Sequence, residues 1–220
     1  MQDTFTRNEL AWIFSTATAR PTSPAVVAIT RSLGLVSGDC DAMEAIATLT
    51  ARGLAVNGRF TGGALILCQA AESTTLIRGI ATFEEHENGE TSHRTTVLSG
   101  SRGHLSLWEA PDGRFKLSAA GTQTIDPGVN LAAKVRNLAE EATIEGTFYR
   151  LATAPGGGTR LGVDTSFQFA EFDGLGWVWR PDNGDAEAPF QEARLEDILG
   201  AITSVEPNAY PSTESLTGVL

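Results

Sequence analysis

The sequence predicts an α+β protein, in which an N-terminal helical, winged-helix-like region packs on an antiparallel β-meander sheet with covering helices. Three observations carry this. Residues 1–60 hold three stretches of helical apolar spacing, each opened by a capping residue. Residues 73–117 read as four strands joined by short turns. Two later stretches return to helical spacing and supply the cover that a buried sheet face needs.

Thr6–Glu9 has the form of a capping box, in which Thr6 caps the helix and Glu9 reaches back. Leu10, Ile13, Phe14 and Ala17 then fall on one helical face that ends before Pro21. Ser23-Pro24 opens a second helix, with serine as cap and proline at the first helical position. Val26, Val27, Ile29 and Leu33 form its apolar side, and Gly34 terminates it. Asp41–Glu44 starts a third helix, with Ala42, Met43, Ile46 and Leu49 expected on the buried face. Arg52-Gly53-Leu54 fits a helix stop with Gly53 left-handed and Leu54 folding back onto the last turn. Asn57-Gly58 follows, a two-residue hairpin turn. Three helices and a hairpin outline a winged-helix module.

Gly63–Glu72 reads as a short helix, apolar through Leu65, Ile66, Leu67 and Cys68. Strands are expected at Ser73–Phe83, Arg94–Leu98 and His104–Glu109, and around Phe115 and Leu117. Glu84–His93 is polar, charged and contains Asn88-Gly89, so it reads as an exposed hairpin loop. Pro111-Asp112-Gly113 is a turn with proline preset at its second position. Asp126-Pro127 starts a helix bearing Leu131, Val135, Leu138 and Ala142 on one side. Thr147–Ala152 is a strand, and Leu161–Phe172 and Trp177–Arg180 form a hairpin about Asp173-Gly174. The last helix holds Leu195, Ile198, Leu199 and Ile202 on one face. The chain thus divides into a helical region at 1–72, a sheet with its helices at 73–205, and a tail at 206–220 expected to be flexible.

Composition excludes several classes. With 41% apolar residues in a chain of 220, a full core is available, and no stretch approaches the roughly 20 apolar residues that span a bilayer. Cys40 and Cys68 are too few for a disulfide scaffold or a zinc site, and the N-terminus lacks a signal-peptide layout. A cytoplasmic setting is expected. The net charge of −11 is unevenly spread: residues 1–60 carry five acids and five arginines, whereas eleven acids face two arginines from Asp164 onward. Duplex binding rests on Lys and Arg neutralising phosphates, and Lys116 and Lys134 are the only lysines. The third helix opens with Asp39, Asp41 and Glu44 and has no base before Arg52, so phosphates would be repelled there. This argues against nucleic acid and against anionic membranes.

No catalytic signature emerges. Gly156-Gly157-Gly158 lacks the Lys-Ser/Thr of a phosphate loop, and Gly100–Gly103 is not a nucleophile elbow. His86 and His93 share the acidic loop without the fixed spacing of a metal site, and His104 heads a strand with no evident partner. Cys40 lies beside acids that raise its pKa and quiet its thiol. Neither a cofactor nor a metal is expected, and an enzyme is not. Trp177 and Trp179 share one face of a strand, as do Phe167 and Phe169. Such pairs fill a core or mark a binding surface.

The order of elements resembles the EspG family, the cytosolic chaperones of actinobacterial type VII (ESX) secretion. The similarity lies in the Leu49–Leu54 helix stop, the short apolar helix at Leu65–Cys68, and the meander with its Pro-Asp-Gly turn. It continues through the Leu131–Ala142 helix, the Trp-bearing strand and the final helix at Leu195–Ile202. The resemblance implies a soluble, non-enzymatic adaptor that binds a secreted helical partner of the PE–PPE kind, through an apolar surface rimmed by polar residues. By position in that family, the loop bearing Glu84, His86, Asn88 and His93 and the final helix with Leu195 and Ile198 become candidates for partner contact, alongside Trp177 and Trp179. The alternative is a winged-helix-type transcriptional regulator with a β-rich sensor region.

Overall fold

The computed structural model describes residues 3–16, 23–35, 40–86, 89–120, 127–138, 143–153, 160–172, 176–181 and 188–203. The helices are α1 (Arg7–Thr16), α2 (Pro24–Ser32), α3 (Ala42–Ala51), α4 (Gly62–Ser73), α5 (Gly128–Leu138) and α6 (Leu195–Thr203). The strands are β1 (Thr4–Phe5), β2 (Ala55–Val56), β3 (Arg59–Phe60), β4 (Thr74–His86), β5 (Gly89–Gly100) and β6 (Gly103–Glu109). They continue with β7 (Phe115–Ala120), β8 (Thr143–Thr153), β9 (Arg160–Phe172), β10 (Gly176–Pro181) and β11 (Gln191–Ala193). Nine strands form one antiparallel sheet in the order β1-β7-β6-β5-β4-β8-β9-β10-β11, and β2-β3 is a separate hairpin. The fold is α+β, with the N-terminal helices packed against the sheet.

Local chemistry sets the helix ends as the sequence predicts. Thr6 N–H donates to Glu9 Oε2 at 2.9 Å while Glu9 N–H donates to Thr6 Oγ1 at 3.1 Å, a closed capping box. Ser23 Oγ accepts from Val26 N–H, and Asp41 Oδ1 accepts from the N–H groups of Met43 and Glu44. At the end of α3, Gly53 sits at φ 68°, and its N–H reaches the Thr50 carbonyl at 3.0 Å. Leu54 N–H returns to the Leu49 carbonyl at 2.8 Å, completing a Schellman motif. Asn57 and Gly58 then take positive φ and turn β2 into β3, as a type I′ hairpin requires.

Alternation along the strands divides the core in two. Ile77, Leu98, Leu105, Leu107, Phe115, Tyr149 and Leu151 face α1, α2 and α4 and join Phe5, Leu10, Ile13, Phe14, Ile29, Leu49, Leu54 and Leu67 in one cluster. Leu76, Ile80, Val97, Phe148 and Phe169 face α5 and α6 and join Leu131, Val135, Ile198, Leu199 and Ile202 in the other. The first cluster mixes residues from before and after position 72. Helix α2 can approach β4 closely because Gly79 has no Cβ, which would otherwise collide with Ser32 Oγ. Ser32 Oγ instead bonds Thr96 Oγ1 at 3.0 Å, which satisfies two buried hydroxyls.

Three expectations are corrected. Glu84–His93 is not a long loop: β4 runs to His86 and β5 resumes at Gly89, with every residue from Thr82 to His86 paired in register. Backbone pairing is satisfied there whatever the polarity of the side chains. Ser73 belongs to α4, not to the following strand. On α3 the buried residues are Ala45 and Leu49, while Met43 and Ile46 are 78% and 41% exposed. Ala45 and Leu49 lie one helical turn apart on the face that meets the core, and at about 100° per residue Met43 falls away from that face. Ala17, Asp39, Asn88, Asp126, Ala142, Asp173-Gly174, the triple glycine and the tail at 206–220 lie outside the described residues.

Candidate protein-docking surface

The expected contact residues fall into two groups. Glu84 and His86 are backbone positions of β4 opposite Thr91 and Gly89, and His93 is half-buried on β5 opposite Thr82. Trp177, Trp179 and Ile198 are buried in the core cluster beneath α5 and α6, with Leu195 packed against it. Trp177 meets Phe169 with ring centroids 6.1 Å apart, and β10 is flanked on both sides by β9 and β11. These aromatics pack into this chain's own interior, where Trp177 and Trp179 keep 8% and 7% exposure.

The histidine reading also changes. His104 Nδ1 lies 3.0 Å from Ser99 Oγ, which accepts from Arg78 Nη2 at 2.8 Å. Arg78 is buried, and its Nη1 donates to the Ile202 carbonyl at 2.9 Å, the last turn of α6. This chain of bonds ties a cation to a helix C-terminus, where the macrodipole favours it. It is a structural assembly holding α6 to the sheet. Among the described residues, no three His, Cys, Asp or Glu side chains gather into a metal site.

The exposed apolar surface lies elsewhere, on residues that sequence reasoning did not single out for partner contact, among them Ile46, which was expected on the buried face of α3. A groove of about 680 Å³ runs between α1, α3, the β2–β3 hairpin and α4. Trp12 and Thr16 line it from α1, Ile46 and Thr50 from α3, Phe60 and Arg59 from β3, and Leu65 and Cys68 from α4. Ile46 and Leu65 are 41% and 42% exposed, and Ile66 beside them faces a second hollow toward β5, β6 and β7. Burial and, secondarily, the Glu72 carboxylate push the Cys68 thiol up to about 11, so it behaves as a small apolar group. Burial, then Asp41, raises Cys40 as well.

A signal for this surface was present in the sequence. Leu65, Ile66, Leu67 and Cys68 are consecutive apolar residues on a helix, and successive residues there are about 100° apart, so one core cannot take all four. Leu67 and Cys68 turn inward and the other two outward. Around α3 the same holds for Ala45 and Leu49 against Met43 and Ile46.

Fold and groove together define an α+β scaffold with an open, helix-lined apolar surface. No family model matches the sequence, and no curated protein matches it. Among solved structures, the chain is similar to the Mycobacterium tuberculosis type VII secretion system chaperone EspG5, solved in complex with the PE25-PPE41 dimer. The match has a TM-score of 0.48 at 9% identity and covers 93% of this chain and 95% of that one. No helix among the described residues is long and apolar enough to cross a membrane.

Proposed function

We propose that this chain is a non-enzymatic, cytoplasmic adaptor that binds a secreted helical protein, in the manner of a type VII secretion chaperone. The observation that carries the reading is the α1–α3–α4 groove, in which Ile46 and Leu65 stand exposed beside Trp12 and Phe60. Grouped large apolar side chains cost solubility, and a contiguous patch of them marks a partner site. The resemblance of the order of elements to the EspG family implies the class of partner, a PE–PPE-like helical pair.

The regulator alternative draws no support from α3. Its solvent side carries Met43, Glu44 and Ile46, and Arg52 at its end is spent on the Glu9 carboxylate. A helix that offers a phosphate backbone no free base has lost the main source of duplex affinity.

Co-expression with the helical protein pairs of the source organism tests the proposal. A stable complex on size exclusion is expected, lost in Ile46→Asp and Leu65→Asp variants that keep the wild-type circular dichroism. Salt-sensitive binding to generic duplex, with no protein complex, would favour the regulator instead.

A further inference from the structure

The lining of the groove carries information about the shape and charge of what fills it. Each of its three helices contributes residues at i and i+3 or i+4: Trp12 and Thr16, Ile46 and Thr50, Leu65 and Cys68. These are the spacings of the ridges by which helices pack on one another. Thr16 Oγ1 donates to the Trp12 carbonyl at 2.8 Å, so its hydroxyl is spent within its own helix. The hairpin closes one side with Phe60 and with Arg59, the only charged residue among the described residues of the lining. Arg59 is exposed, and among the described residues its side chain makes no ion pair or hydrogen bond. In a chain of net charge −11, the described lining of this groove offers a cation and no carboxylate.

We infer that the groove takes one amphipathic helix of a partner protein, its apolar ridge filling the space between α1, α3 and α4 and one of its carboxylates pairing with Arg59. The inference rests on the adaptor reading and adds the partner's form and charge. A docked helix completes a small bundle, since α1 already packs on α3 and on α4. Arg59 sits at the rim, so its role is selection between helices more than affinity.

The test uses the full chain and alanine-based peptides of about 20 residues, long enough to be helical. Each carries leucine at i, i+3, i+4 and i+7 and either Glu, Gln or Lys beside that ridge. Fluorescence anisotropy at low salt gives affinity, and loss of peptide binding in Ile46→Asp places the peptide in the groove. The Glu peptide is expected to bind about tenfold tighter than the Lys peptide, the order to reverse in Arg59→Glu, and a peptide with a central proline not to bind. Equal affinities for Glu and Lys, an unchanged order in Arg59→Glu, binding by the proline peptide, or undiminished peptide binding in Ile46→Asp would each overturn it. A partner complex that survives Leu65→Asp also sinks this inference while leaving the adaptor reading standing. Absence of any complex in co-expression sinks the adaptor reading, whatever the peptides do.

Discussion

Arg52 holds both carboxylate oxygens of Glu9, with Nη1 donating to Oε1 at 2.9 Å and to Oε2 at 2.8 Å. Glu9 is 2% exposed in this pair, and it simultaneously accepts the Thr6 N–H that begins α1. Arg52 also donates from Nη2 to the Thr4 carbonyl and lies over the Phe5 ring. One side chain at the end of α3 therefore joins α3, the cap of α1 and the edge strand β1.

Removing that cation leaves a buried carboxylate without its charge partner. Arg52→Ala is expected to cost about 2 kcal/mol, less than a fully buried pair because the arginine is partly exposed. Glu9→Gln keeps an acceptor for the cap and is expected to cost about half as much. Urea unfolding at constant slope measures both. An unchanged midpoint in Arg52→Ala would refute the joint.

Arg78 gives a second prediction, in the other half of the molecule. Arg78→Met keeps the stem but loses the donors to the Ile202 carbonyl and Ser99 Oγ, and is expected to destabilise by about 3 kcal/mol. Amide exchange should rise most in α6, where the carbonyl is released. Uniform exchange across all helices would argue that Arg78 does not anchor α6.

Gly146 faces Phe169 across the β8–β9 ladder, and a Cβ there would occupy the space of the ring. Phe169 is itself buried against Trp177, so the ring has no free volume to move into. Gly146→Ala should cost about 2 kcal/mol despite the better strand propensity of alanine. A thermal midpoint equal to wild type would show that the ring repacks.

The two cysteines should react in order. With the Cys68 thiol raised from 9.0 to about 11, about one molecule in a thousand is thiolate at pH 8. Iodoacetamide should modify the more exposed Cys40 first and Cys68 only on unfolding or very slowly. A pKa raised by folding means that the native state holds the proton more tightly, so stability is full below about pH 9 and falls as pH rises toward 11. Cys68→Ala should flatten that part of the profile, and equal slopes in both proteins would contradict the assignment.

The helix caps, the hairpin turn and the meander were legible because each depends on a few neighbouring residues. Thr6 and Glu9, Asp41 with Glu44, Gly53 with Leu54, and Asn57-Gly58 all form the bonds that their side chains and backbone freedom require locally. The candidate surface was less legible. Met43 and Ile46 look like core when the apolar spacing of α3 is read alone, and Trp177 and Trp179, which favour the core when taken singly, also fit a binding surface.

What the sequence determined by itself was thus the kind and order of elements: capped helices, a hairpin, an antiparallel sheet and the helices that cover it. Tertiary structure decided which side of each element meets water. Leu49 joins the core cluster beneath the sheet, which leaves Met43 and Ile46 of the same helix toward solvent. Sheet neighbours on both sides and α6 above bury the two tryptophans of β10. Pairing between residues far apart in the chain also set the partners of Arg52 and Arg78. Local periodicity records that a residue is apolar or charged, but its burial depends on which distant surface arrives, and that is decided only when the whole core closes.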